Sequence, residues 1–575
     1  MSLKPKSWAV FCLALLAFLA PVKFGTPVVL TAGLVPPQTI WEWLFFSWPN
    51  QLLPLFGCGA LLWLVLDSRR APVRVDGLFV LPGLFLVTQL AALPTSICPT
   101  TTTETVLHFA MCVGVFYLAA WYVRERSAVA WVFGGLTVAT VLIVIFAVEQ
   151  YFGGLAATRE YAAAYGENLP PDLRHRLTSN RVFSTLVYPN ALAGFLVVAF
   201  APVLIWIWSC RLRNWLKWGT LFLTGGLMVF ALALTGSRGG FIAFAAMVIT
   251  GLVAASRRAW LTLTAVAMIA GVFWVAQQAG LIRHGLASAS ARGDYWRGAV
   301  AIVSDHPWFG TGPGTFGSIY PKYKTAASEE AQLVHNNFLQ MWSDSGVAAA
   351  VVFALLWLVA IWDGFKLARR SGGDVAGIAI LAALTGWVVH GFLDFDLYVP
   401  GVAIPAFLLL GALQGLKTAP AARTRRQPKL ALGTLCLAIG VVSVSLAGRS
   451  LLAGFQNAPA GLESARRAMK LNPANPQYAS IAGDWALRQG KASEAIDFYR
   501  VAVGNDPYRA AFHWRLARAL WLAGDRPVEA IEQLKMATDL NPTKAQYRME
   551  LRALEENIRQ PEPGLLKSPQ IEQER

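Results

Sequence analysis

An all-α, polytopic membrane protein with a helical tail is the fold class predicted by three properties of the sequence. Hydrophobic residues make up 55% of the 575 residues and charged ones only 14%, a balance typical of bilayer-embedded chains. Apolar runs near the ~20 residues needed to span a bilayer recur along the first three-quarters. Beyond Ala447 the composition turns charged, helix-rich and repetitive.

Thirteen apolar runs are expected as membrane helices, giving about 12–13 spans: about 8–20, 48–66, 76–93, 105–122, 128–149, 187–208, 215–234, 240–255, 260–279, 346–362, 375–393, 399–415 and 430–447. The run 240–255 is short and follows a glycine pair. Lys4 and Lys6 precede the first run as in a signal peptide, but Ala20-Pro21-Val22-Lys23 is a poor cleavage site, so the run reads as a signal anchor. The expected organisation is N-terminal membrane helices over 1–179 and a membrane core over 180–415 with a long loop at 281–345. A basic linker and last span follow over 416–447, then helical repeats over 448–560 and a disordered tail over 561–575.

Formal net charge is +16, which in a soluble chain would suggest nucleic acid. Here the cations fall in alternate loops: Lys4/Lys6, Arg69/Arg70/Arg74, Arg124/Arg126, Arg211/Arg213/Lys217, Arg257/Arg258, Lys366/Arg369/Arg370 and the group from Lys417 to Lys429. That is the positive-inside pattern, with a cytoplasmic N-terminus, a multi-pass chain among membrane lipids and an external tail. Nucleic-acid binding is therefore not expected. The short outer loops hold only Lys23 and Arg238, and Arg238 is a cation that topology does not explain. The 6 cysteines show no CxxC, metal spacing or obvious disulfide pair. No metal and no cofactor are expected.

The tail repeats. Leu471-Asn472-Pro473, Asn505-Asp506-Pro507 and Leu540-Asn541-Pro542 recur at offsets of 34 and 35, preceded by Glu494-Ala495-Ile496 and Glu529-Ala530-Ile531. This resembles the tetratricopeptide repeat, whose period is about 34 residues, in about two and a half copies. Such a solenoid implies a concave face able to take a protein partner.

Charged residues are nearly absent from mid-bilayer depth, which disfavours an ion-coupled transporter. Unusual polar residues collect instead at the outer face: Arg238 in Thr235-Gly236-Ser237-Arg238-Gly239, Arg181 before Tyr188-Pro189-Asn190, Arg292 and Arg297 around Asp294-Tyr295-Trp296, His335-Asn336-Asn337, and His390 to Asp396. Arginines and a histidine at one membrane face suit an anionic, lipid-attached substrate. Guanidinium binds phosphate bidentately and stays charged when desolvated, and fixed cations stabilise a departing diphosphate. A histidine suits the base that an attacking hydroxyl needs near neutral pH. Plainer readings stand beside these. Arg238 can snorkel to lipid phosphate, Arg292 can pair with Asp294, His335 can cap a helix, and Arg181 and Arg297 can be merely supportive. Asp394 can orient His390 or a loop amide. The Gly310-Thr311-Gly312-Pro313-Gly314 run lacks the context of a phosphate loop and reads as a turn.

Taken together, Thr235–Gly239, the Arg-x-x-x-Trp at 292–296 running into Asp-x-Pro-x-x-Gly-x-Gly at 305–312, and His-Asn-x9-Gly at 335–346 resemble the O-antigen ligase and polymerase superfamily of bacterial envelope glycosyltransferases. Pro189-Asn190 and Asp394 fit weaker marks, and the resemblance covers roughly 180–415. It implies a bacterial inner-membrane enzyme that transfers a glycan at the periplasmic face without a metal. The implied donor is an undecaprenyl-diphosphate-linked glycan; the implied acceptor is lipid A-core, another lipid-linked repeat or a protein hydroxyl. Carried over, Arg238 and Arg292 bind the diphosphate and His335 is the base or orients the acceptor, so these three are the expected catalytic residues. Arg181, Arg297, Asn336 and Asp394 are the expected substrate-binding residues. A lipid-linked oligosaccharide transporter holding the same head group is the alternative from another class. The thirteenth span and the repeats depart from a plain ligase, and leave the acceptor open.

Overall fold

The computed structural model describes residues 5–33, 36–56, 75–164, 180–255, 271, 286–370, 374–418, 429–457, 461–524 and 526–559. Among these, all regular structure is helical. The helices α1 (Pro5–Lys23), α2 (Gly77–Ala91), α3 (Pro99–Tyr122), α4 (Arg126–Glu149), α5 (Pro189–Ser209), α6 (Asn214–Leu234) and α7 (Arg238–Ala255) lead into a loop that holds α8 (Leu286–Asp305) and α9 (Phe316–Tyr323). Then come α10 (Asn337–Arg370), α11 (Val375–Gly391), α12 (Pro400–Lys417) and α13 (Lys429–Asn457). Among the described residues, 7 helices are long and apolar enough to cross a membrane, namely α3 to α7, α10 and α12; α1, α2 and α11 are apolar but shorter. The chain is a polytopic helical membrane protein. Every expected run coincides with a helix except 48–66 and 260–279, most of which lie outside the described residues. The expected tail at 561–575 also lies outside them.

Local chemistry explains where the helices begin. Proline opens α3, α5 and α12, where its missing N–H costs nothing. Asp76 caps α2 by accepting from the Phe79 amide at 3.3 Å, and Asp374 caps α11 by accepting from Ala376 at 3.3 Å. α12 is the central staff, packed against α1, α3, α5 and α11. Gly411 permits a close approach to α3, since a Cβ there would run into the Phe116 carbonyl. Of its apolar stretch 89% is buried, against 22% for α6, so α6 turns most of its surface to lipid. At one end of the bundle Lys417 pairs with Asp76 at 3.0 Å and with Asp363, tying α12 to α2 and α10.

The expected span at 346–362 starts earlier and is longer than the sequence predicts. The helix runs from Asn337, with Gly346 inside it at φ 82° and ψ 179°. That conformation is open essentially to glycine alone, and it breaks the helix into two segments. A Cβ at Gly346 would also meet the Trp308 carbonyl.

The tail is a series of packed helices: α14 (Leu462–Leu471), α15 (Pro476–Arg488), α16 (Ala492–Asn505), α17 (Ala510–Ala523), α18 (Pro527–Leu540) and α19 (Ala545–Arg559). Neighbours in sequence are neighbours in space. Ala482, Ala486, Ala495, Ala519 and Ala530 are fully buried between them, the small side chains letting helix axes approach closely.

Candidate active site

The site forms where α5, α7 and α10 begin and α11 ends. Three helix N-termini lie near one another there, and their positive dipole ends favour anions.

At its centre lies Asp394, in the turn between α11 and α12, with its side chain 2% exposed. One carboxylate oxygen accepts from the Asn190 amide at 2.5 Å and meets the Arg292 guanidinium at 3.5 Å. The other accepts from the Phe395 amide at 2.9 Å and lies 3.3 Å from Nδ1 of His335. That last contact is an ion-pair distance whose angle does not align as a hydrogen bond. Burial works against the charge on Asp394, yet His335, then Arg292, hold its pKa well below the usual carboxylate range.

Arg292 projects from α8 and also donates through Nε to the Leu393 carbonyl at 2.9 Å. It does not pair with Asp294, which is taken by Arg297. His335 precedes α10 with φ 56°, a left-handed conformation that costs a non-glycine residue about 1 kcal/mol. Tyr295 stacks on its ring at 5.6 Å and Phe395 meets it edge-on at 4.6 Å. Capping α10 falls to Asn336, whose side-chain oxygen accepts from the Phe338 and Leu339 amides at 3.0 Å each.

Arg181 enters from the segment before α5. It donates to the Thr235 carbonyl and to Asn190, both at 2.6 Å, so it joins the Thr235–Gly239 turn to the Asp394 network. Burial, partly offset by Asp394, brings its pKa down to about 10, and it remains a cation at neutral pH. Arg238 opens α7. Its Nε is buried with no hydrogen-bond partner among the described residues, and Gly239 beside it packs against Leu393 and His390. Ser237 caps this helix by accepting from the Gly240 amide at 3.1 Å.

The structure thus gathers Arg292, His335, Asp394 and, through Asn190, Arg181 into one network, with Arg238 beside it. Arg297 stays apart: its side chain is 74% exposed and bound to Asp294. Asn336 is engaged with its helix. Asp394 contacts a loop amide and His335, whereas His390 belongs to Asp396 at 2.6 Å. The glycine run is a turn, as expected, and its amides serve the protein. Gly312 donates to the Asp344 carbonyl at 2.8 Å and Gly314 to the Asp344 carboxylate at 2.7 Å.

Sequence reasoning passed over Asn190 and Asp344 as side chains with work to do. Asn190 had a signal in its place after the helix-opening Pro189. Asp344 had little, since it lies in a polar stretch just before the apolar run; it accepts from Gln340 and Tyr398 at 2.9 Å each and binds the glycine turn to α10. Among the described residues no three His, Cys, Asp or Glu side chains are grouped to hold a metal ion.

No curated protein matches the chain. Residues 223–354 match the Wzy_C family model, O-antigen ligase, so the segment carrying Arg238, Arg292 and His335 is similar to that family, while Arg181, Asn190 and Asp394 lie outside the match.

Proposed function

We propose that the chain is a glycosyltransferase of the O-antigen ligase/polymerase type, moving a glycan from an undecaprenyl-diphosphate carrier to an acceptor hydroxyl at the periplasmic face of the bacterial inner membrane. The observation that carries the reading is the convergence of Arg292 and His335 on buried Asp394. Both belong to the segment similar to O-antigen ligase.

The chemistry needs three things. The acceptor O–H loses its proton to a base, its oxygen bonds to the anomeric carbon, and the bond from that carbon to the diphosphate oxygen breaks. Negative charge grows on the leaving diphosphate. His335, with 24% of its side chain exposed, takes the proton and passes to a cation that Asp394 stabilises. Arg292, partly exposed, and Arg238 at the start of α7 meet the diphosphate, with Arg181 adding positive potential behind them. No step calls on a metal.

His335→Ala and Arg292→Ala at normal expression are each expected to abolish mature glycan and to accumulate lipid-linked donor, read on a gel of surface glycan and extracted lipid. Normal glycan in both variants would sink the assignment. In a deletion strain, a single capped repeat identifies a polymerase, and none at all a ligase.

A further inference from the structure

Each of the turns that end successive repeats touches a different part of the membrane core through one or two of its residues. At the first, the Ala474 carbonyl accepts from the Thr100 hydroxyl at the start of α3, at 2.6 Å. At the second, the Ser318 hydroxyl of α9 donates to Asp506 at 3.2 Å and accepts from Arg509 at 3.3 Å, and Arg509 closes the triangle on Asp506 at 2.9 Å. At the third, Asn541 donates to Glu330, in the loop between α9 and α10, at 3.3 Å.

The middle contact is the most deeply buried. Asp506 is 0% exposed, and a carboxylate is buried this completely only where something fixed compensates it. Next to it, Tyr508 enters the apolar cluster of Tyr295, Phe316, Tyr320 and Val334. Val334 adjoins His335 in the chain, and Tyr295 stacks on the His335 ring. The apolar cluster therefore lies between the repeat turn and the proposed base.

We infer that the helical tail is an internal brace, whose turn edge grips the chain's own core once per turn, at the start of α3 and at two points of the long loop, and holds Tyr295 and His335 in place. The turn edge is occupied from within, so an outside protein partner is left with the other faces of the solenoid. The grip itself does not depend on the reaction assigned above; its effect on transfer does.

Hydrogen exchange on the full-length protein in nanodiscs tests the grip without reference to activity. Asp506→Ala breaks it from the repeat side. Ser318→Asp breaks it from the loop side by setting a like charge against Asp506, and leaves the repeat sequence intact. In both, amides of α9 and of 330–336 are expected to exchange about tenfold faster or more, while Ser318→Asp keeps α15 and α17 protected. Unchanged loop exchange in Ser318→Asp overturns the brace. In cells, Ser318→Asp is expected to lower mature glycan about tenfold while lipid-linked donor accumulates. A loosened loop with unaltered glycan would overturn the positioning role. If His335→Ala also leaves glycan unaltered, the transferase assignment fails while the exchange result stands.

Discussion

Asp394 is surrounded by donors that do not all need it equally. Arg292 has the Leu393 carbonyl as well, whereas His335 has Asp394 as its charged neighbour. Asp394→Asn keeps the shape and removes the charge, so it leaves buried cations uncompensated. It is expected to destabilise the protein by about 3 kcal/mol, read as a lowered melting temperature in detergent, and to abolish transfer. The pH dependence follows from the depressed pKa of this carboxylate. A group whose folded pKa is lowered contributes stability that is present above its unfolded pKa and lost as pH falls. Melting of the wild type is therefore expected to drop below about pH 4, and that part of the drop should vanish in Asp394→Asn. At Arg181, two different nitrogens reach Thr235 and Asn190. A lysine's single ammonium cannot reproduce that spaced planar fork, so Arg181→Lys should weaken one contact and lose most of the transfer rate, while retention of full rate would make the second contact idle.

These residue pairings were only half legible in the sequence. Arg292, His335 and Asp394 stand out as polar residues near apolar runs. Their partners do not, because Asp294 is two residues from Arg292 and Asp394 a hundred away. Sequence proximity favoured the wrong acid, and the fold gave Asp294 to Arg297.

Among elements, the clearest discrepancy is α10. Its apolar run begins at Gly346, and hydropathy alone places the helix start there. The polar stretch from Asn337 to Ser345 is nevertheless helical, because Asn336 caps it and its polar groups bind inward: Ser345 donates to Gln89 at 2.7 Å, and Gln340 to Asp344 at 2.9 Å. Hydropathy cannot see a polar helix satisfied by protein instead of water. Gly346→Ala places a side chain in a backbone conformation reserved for glycine and against the Trp308 carbonyl. It should cost at least about 2 kcal/mol and disturb the segment that follows His335. A melting temperature equal to wild type would show that the kink relaxes freely.

At the scale of the whole molecule, α8 and α9 lie in a stretch that reads as loop, whereas the membrane class and the described helices of the apolar runs were readable, since burial in lipid demands long apolar runs and closed backbone hydrogen bonding. How those helices close on one another was not, because apolar runs carry no address. Ion pairs supply part of it. Lys417 joins Asp76 and Asp363 across 341 and 54 residues of sequence, far from the proposed active site. Lys417→Met takes the shared cation away from two carboxylates that are 21% and 14% exposed. It should therefore lower the melting temperature with a loss of about 2–3 kcal/mol, and leave glycan transfer per folded molecule unchanged.

Solenoids ordinarily tolerate the gain or loss of a whole unit, because each unit meets only its neighbours. The packed helices of this tail are denied that freedom. Their turns recur every 34 and 35 residues, and each has its own address on the core: Thr100, Ser318 and Glu330. Excising one repeat would preserve the stacking of the rest and still bring the wrong turn to each address. The repeat length works here as a ruler, and a tail of different length needs a differently spaced core.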